Sequence, residues 1–154
     1  TRIGDHCFFM AYVHIAHDCQ IGDGVLMANG ATLAGHVTVE KGAAVGAFSG
    51  VHQFCRVGVQ AFIGGYSVVT RDALPYVLTV GNRATSHGIN VVGLKRRQLP
   101  EAVILALKRA YRTLFRSRLP RAEALSRTLE EGGECAEVRR LVEFIETSER
   151  GVVV

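Results

Sequence analysis

Six histidines in 154 residues are many, and four of them fall in short polar clusters. His14 and His17 share the run AYVHIAHDC, with Asp18 directly after His17. His36 follows Gly35 in LAGH, and His52 precedes Gln53 in VHQF. An imidazole can take and return a proton near neutral pH, and a neighbouring carboxylate orients it. A glycine among such groups offers a bare backbone N–H for negative charge developing on oxygen. Histidines in this number also suit zinc, which takes three or four ligands. Either chemistry requires a scaffold that gathers segments lying far apart in the sequence.

The scaffold is written in a six-residue repeat. From Ile3 the chain divides without a break into twelve units, IGDHCF to VTRDAL, ending at Leu74. The first position of each unit is always apolar: I, F, I, I, M, L, V, V, V, V, I, V. The fifth is always small: C, V, C, V, A, V, A, S, C, A, S, A. One large and one small inward residue per unit describe a parallel β-helix, in which three units make a triangular turn and residue i stacks on residue i+18. Adjacent turns then lie about 4.8 Å apart. Cys7, Cys19 and Cys55 occupy the small inward position and read as packing groups. Cys19 and Cys55 stand two turns apart, too far for a disulfide.

The stacking rule gathers the histidines. Ala16-His17-Asp18, Ala34-Gly35-His36 and His52-Gln53-Phe54 superimpose at one corner, with His14 one edge earlier. Gly35 falls between His17 and Gln53 in its column, where its missing side chain predicts a notch with room for a reacting carbon. No other corner collects such groups. His6 and His87 lack this company and read as surface or structural residues.

Pro75 ends the repeat. Residues 75–99 are mixed in Gly, Asn and Pro and are expected to form a connecting loop. Residues 100–154 predict a helical subdomain. Pro100 opens a first helix with Val103, Leu107, Ala110, Tyr111, Leu114 and Phe115 inward, and Pro120 a second with Ala122, Leu125 and Leu129. A third, from about Glu134, buries Val138, Leu141, Val142 and Ile145. Charge is uneven. Residues 1–94 carry five Lys/Arg and five Asp/Glu, whereas 95–121 carry nine Lys/Arg and one acid. Lys108, Arg109, Arg112 and Arg116 form a stripe on the first helix, suited to an acidic partner. Few aromatics and no recognition motif argue against nucleic acid. No apolar run of about 18 residues exists to span a membrane.

AYVHIAHDC, ATLAGHVTV, SGVHQFCRVG and GNRATSHGINVVGLKRR together closely resemble the acyl-acyl carrier protein:UDP-N-acetylglucosamine O-acyltransferases of lipid A synthesis. The likeness runs the length of the chain and implies a left-handed β-helix of hexapeptide repeats with a C-terminal helical part. It implies transfer of an acyl chain, commonly 3-hydroxylated, from the carrier to the sugar 3-hydroxyl, the first step of lipid A biosynthesis. By that resemblance His17 is the general base, Asp18 orients it, and the Gly35 N–H binds the oxyanion. His14, His36, His52 and Gln53 line the sugar and acyl pocket. Asn90, Arg96 and Arg97 hold the nucleotide, Gly65 sets the acyl-chain length, and the basic stripe docks the carrier protein. It further implies a cytoplasmic homotrimer with sites between neighbouring coils, needing no cofactor and no metal. Position 83 is Arg where some relatives have His, which alters the nucleotide side.

Three other readings remain at the level of sequence. One is the related N-acyltransferase of the same pathway, against which GLKRR and the tail speak. Another is a γ-carbonic anhydrase-like zinc site, in which histidines of adjacent subunits bind the metal, using His14, His17, His36 and His52. The last is a trimeric scaffold without catalysis. The chain opens at Thr1 inside a repeat and reads as the C-terminal part of a longer protein.

Overall fold

The computed structural model describes residues 1–154. Twelve two-residue strands recur every six residues: β1 (Arg2–Ile3), β2 (Phe8–Phe9), β3 (His14–Ile15), β4 (Gln20–Ile21), β5 (Leu26–Met27), β6 (Thr32–Leu33), β7 (Thr38–Val39), β8 (Ala44–Val45), β9 (Gly50–Val51), β10 (Arg56–Val57), β11 (Phe62–Ile63) and β12 (Val68–Val69). They pair in parallel as β1-β4-β7-β10, β2-β5-β8-β11 and β3-β6-β9-β12. Arg2 stands on Gln20 and His14 on Thr32, the 18-residue step of a three-sided coil. Inward aliphatics and small residues form one core, with Cys19 and Cys55 fully buried and Cys7 half-buried at its open end.

The corners follow a rule that the residue types conceal. The fourth residue of eleven consecutive units, His6 to Tyr66, has φ between 52° and 67°. Only three of these are glycine: Gly24, Gly30 and Gly42. Each of the others carries a left-handed conformation at a cost of about 1 kcal/mol, offset by the ladder hydrogen bonds on either side. The rule ends at Asp72, which is buried and instead accepts from the Arg56 N–H at 2.8 Å and the Ser148 hydroxyl at 2.7 Å.

The segment 75–99 is not a loop. Strand β13 (Val77–Gly81) continues the second sheet beside β11 and turns back antiparallel into β14 (Ala84–Ile89). Helix α1 (Val91–Arg96) follows, capped by the Asn90 side chain accepting from the Gly93 N–H at 3.2 Å. The strand signal in Val77–Val80 is four residues long and lies beside glycine and asparagine, so composition masked it.

Helices α2 (Glu101–Arg116), α3 (Arg121–Gly132) and α4 (Ala136–Glu146) pack over the end of the coil. The α2 face is as expected, with Ile104 added at its centre. In α3 the buried residues are Ala124 and Thr128, while Ala122 and Leu129 are exposed. Thr128 tolerates burial because its hydroxyl donates to the Ala124 carbonyl at 2.7 Å. In α4 the expected face is buried together with Phe144, which carries the Arg56 guanidinium 4.0 Å above its ring. The chain then returns to the coil. Gly151 and Val153 hydrogen-bond across Asp72, and Val153 closes the coil core.

Candidate active site

One corner of the coil holds the polar constellation. His17 and Asp18 are turn residues of the first coil, and Asp18 takes the left-handed conformation that Asp accepts more readily than most. That conformation brings its carboxylate back to the preceding imidazole, with His17 Nδ1 and Asp18 Oδ2 at 2.8 Å. An ionised carboxylate only accepts, so it claims the hydrogen on Nδ1 and leaves a lone pair on Nε2. The same bond holds the Asp18 carboxyl below its ordinary pKa, with a smaller contribution from the nearby His36.

Gly35 explains where the His17 ring lies. A Cβ on Gly35 would stand 2.6 Å from Cε1 and 2.7 Å from Nε2 of His17. The expected notch therefore exists, and the imidazole fills it instead of leaving it open to a reacting carbon. Gly35 is buried under the ring, and its N–H makes no hydrogen bond within the chain. His36 meets His17 edge-on, ring centres 5.1 Å apart, with its Nε2 3.8 Å from Asp18 Oδ2. Phe54 stacks beneath His36 at 4.6 Å and 12° and fixes its plane. Sequence stacking placed Phe54 in this column without giving it a task. His52 and Gln53 lie exposed one turn beyond Gly35, with His52 Nδ1 3.2 Å from the Gln53 carbonyl. His14 is exposed on the adjoining strand β3. Its ring belongs to no cluster: the atoms able to share a cation, within 4.8 Å of one another, come from His17, Asp18 and His36. Within one chain the four histidines do not converge.

The remaining candidates lie elsewhere. Asn90 and Arg96 line a groove of about 350 Å³ with Phe62, Leu78, Ile89 and Val92 on the outer face of the second sheet. Arg97 leans over Gly42, one corner of that sheet. In a three-sided coil the second sheet faces away from the histidine corner, so one chain does not unite the two groups. Gly65 is exposed at the other end of that sheet, on the corner of Ala11, Asn29 and Ala47. The third sheet joins this corner to the histidine corner. Lys108, Arg109, Arg112 and Arg116 are exposed and free of ion pairs. A groove of about 430 Å³ runs along the first sheet past Gln20 and Thr38, and its Glu40 and Arg140 are paired to each other at 2.6 Å.

Residues 72–153 match the family described as UDP N-acetylglucosamine O-acyltransferase, domain 2, and residues 1–35 match the bacterial transferase hexapeptide repeat. An acyl-[acyl-carrier-protein]–UDP-N-acetylglucosamine O-acyltransferase of Herminiimonas arsenicoxydans is 47% identical over 99% of this chain and 60% of its own length. Its counterpart in Thiobacillus denitrificans is 48% identical, over 99% and 59%. Among solved structures, UDP-N-acetylglucosamine acyltransferase from Campylobacter jejuni superimposes with a TM-score of 0.94 at 42% identity, covering 100% of this chain and 60% of that one. The coil is thus the left-handed parallel β-helix of these relatives. The chain spans about 60% of their length. Fold and sequence agree, and the chain belongs to the UDP-N-acetylglucosamine O-acyltransferase family.

Proposed function

We propose that this chain carries the catalytic corner of an enzyme that moves an acyl or 3-hydroxyacyl chain from acyl carrier protein to the 3-hydroxyl of UDP-N-acetylglucosamine, the first step of lipid A synthesis. His17 Nε2 takes the hydroxyl proton as the sugar oxygen attacks the thioester carbon. Asp18 balances the imidazolium. The Gly35 N–H receives the oxyanion once the imidazole swings toward substrate. Collapse expels the carrier thiolate, which recovers the proton from His17. The reaction calls for no cofactor beyond the thioester.

His14, His36, His52 and Gln53 surround the sugar and acyl chain, and Asn90, Arg96 and Arg97 hold the nucleotide, with guanidinium suited to phosphate. Because the Asn90 groove and the histidine corner face opposite ways in one chain, a complete site joins the corner of one copy to the groove of the next. That arrangement supports a homotrimer. So does the exposed apolar ladder Phe8, Leu26 and Phe62 on the second sheet, a surface that a monomer would leave wet. No helix is long and apolar enough to cross a membrane, and we place the enzyme with its soluble substrates in the cytoplasm.

The observation that carries this reading is the His17–Asp18 contact at 2.8 Å above a glycine. In the full-length enzyme, His17→Ala should lower kcat by about 10²–10⁴-fold, the usual worth of a general base, with unchanged thermal unfolding. Near-normal turnover would place the base elsewhere. Stoichiometric zinc in the purified protein, with activity lost on chelation, would replace the base by a metal held at His17, Asp18 and His36.

A further inference from the structure

The C-terminal arm, residues 147–154, reaches the histidine corner, a contact that no sequence pattern marks. Four contacts tie the arm to the coil without Arg150: the Arg56 guanidinium on the Thr147 hydroxyl at 3.2 Å, the Ser148 hydroxyl on Asp72, the Asp72 N–H on the Gly151 carbonyl at 2.9 Å, and the Val153 N–H on the Asp72 carbonyl at 2.8 Å. Arg150 projects from between these anchors. Its Nη2 lies 3.4 Å from His52 Nδ1 and 3.5 Å from the Thr70 carbonyl. His52 and Thr70 are successive members of one column, so the guanidinium spans adjacent turns at the edge of the proposed site. No carboxylate pairs with it.

His52 Nδ1 has two competing neighbours. The Gln53 carbonyl at 3.2 Å is an acceptor and favours a hydrogen on Nδ1. The Arg150 guanidinium is a donor only and requires the Nδ1 lone pair. A neutral imidazole satisfies one of them, and the choice decides what Nε2 offers to solvent or substrate.

We propose that Arg150 is a positioning residue for His52: by donating to Nδ1 it keeps the ring hydrogen on Nε2, so that His52 meets the substrate as a hydrogen-bond donor. Such a donor suits a hydroxyl, carbonyl or phosphate oxygen of the bound sugar nucleotide. This rests on the reading that His52 lines the substrate pocket. Without Arg150 the Gln53 carbonyl draws the hydrogen to Nδ1, and Nε2 turns into an acceptor.

The test uses the full-length enzyme labelled with ¹⁵N in its histidine rings, with the His52 signals identified by their loss in His52→Gln. The unaltered protein should show the hydrogen on Nε2. Arg150→Ala should move it to Nδ1 and raise the KM for the sugar nucleotide about three- to tenfold, the scale of one hydrogen bond, with kcat little changed. Arg150→Lys, which keeps a cationic donor, should preserve the tautomer and most of the affinity. Adding Arg150→Ala to His52→Ala should cost nothing further. A hydrogen on Nδ1 in the unaltered protein overturns the proposal, as does an equal loss from Arg150→Ala with and without His52. If His52→Ala is kinetically silent, the pocket reading fails, while the ring signals still decide whether Arg150 sets the tautomer.

Discussion

Two corners of the same coil share one backbone and present opposite surfaces. The corner of His17, Gly35 and Gln53 and the corner of Ala11, Asn29, Ala47 and Gly65 both turn through a left-handed fourth residue. At the first, that position holds Asp18, His36 and Phe54, and the side chains assemble an acid–imidazole pair over a glycine. At the second it holds Tyr12, Gly30, Phe48 and Tyr66. Phe48 lies across Gly30, where a Cβ would stand 2.7 Å from its ring, and stacks on Tyr66 at 5.4 Å. Tyr12 is 92% exposed. Both corners thus use a glycine to seat a ring from a neighbouring coil, one for chemistry and one for an apolar face. The repeat decides where corner side chains stand; their identity, unconstrained by the core, decides what the corner does.

Short of removing His17 itself, the largest effect should come from taking its seat away. Gly35→Ala puts a methyl 2.6 Å from the His17 ring and must displace it from Asp18. A misplacement of about 1 Å is worth about 100-fold in rate, so kcat of the full-length enzyme should fall by that order. Gly50→Ala is the control, since a methyl there meets nothing within 4 Å. It should leave both turnover and thermal unfolding unchanged. Equal behaviour of the two variants would remove the special role of the seat.

The repeat made the strands, the 18-residue register and the membership of the histidine corner legible, because core positions recur with fixed chemistry. Other features left no such trace. The left-handed corners are occupied by His, Tyr, Asp, Phe and Gln as well as Gly, so side-chain type does not report them. The β13–β14 hairpin extends the second sheet at a spacing of 16 residues, Phe62 to Leu78, outside the hexapeptide rhythm. The inward face of α3 rests on Ala124 and Thr128, too small and too polar to stand out against Leu129. Arg150 joins His52 across 98 residues, a contact made by the path of the chain and by no pattern within it. The resemblance assigns Asn90 and Arg96 to the nucleotide side of a site between neighbouring coils; within one chain they lie on the side opposite His17.

A smaller effect should separate the two corners by task. Gly65 is exposed, and a Cβ there meets only the Ala47 backbone, its carbonyl oxygen at 3.4 Å and its nitrogen at 3.9 Å, both ordinary contacts. Gly65→Met should therefore fold normally. If the aromatic corner bounds the far end of the acyl pocket, the added side chain excludes the last methylenes of a long chain. Each excluded methylene is worth about 0.8 kcal/mol, or about fourfold in preference. Competition between carriers bearing short and long chains should shift toward the short one, with total turnover retained. An unchanged ratio would remove Gly65, and the corner with it, from the acyl pocket.

The smallest expected effect tests whether carrier recognition lies on neither corner. Arg109 and Arg112 are exposed on α2 without an acidic partner, unlike Arg140, whose charge is engaged by Glu40 and Glu143. A solvated face is the ordinary fate of such a stripe. Here, however, residues 95–121 hold nine Lys/Arg and one acid, while the coil and hairpin before them balance five against five. A field this localised steers an acidic protein toward α2 and away from the coil. Arg109→Glu with Arg112→Glu should raise the KM for the acyl carrier protein about threefold or more, since exposed charge pairs contribute under about 1 kcal/mol each. The affinity for the sugar nucleotide should stay the same, because neither arginine lines the Asn90 groove. Salt should raise the carrier KM of the unaltered enzyme, as screening shortens to about 8 Å at physiological ionic strength, and should do so less in the variant. A carrier KM indifferent to both salt and charge reversal would return the stripe to a solvated face and move carrier docking onto the coil.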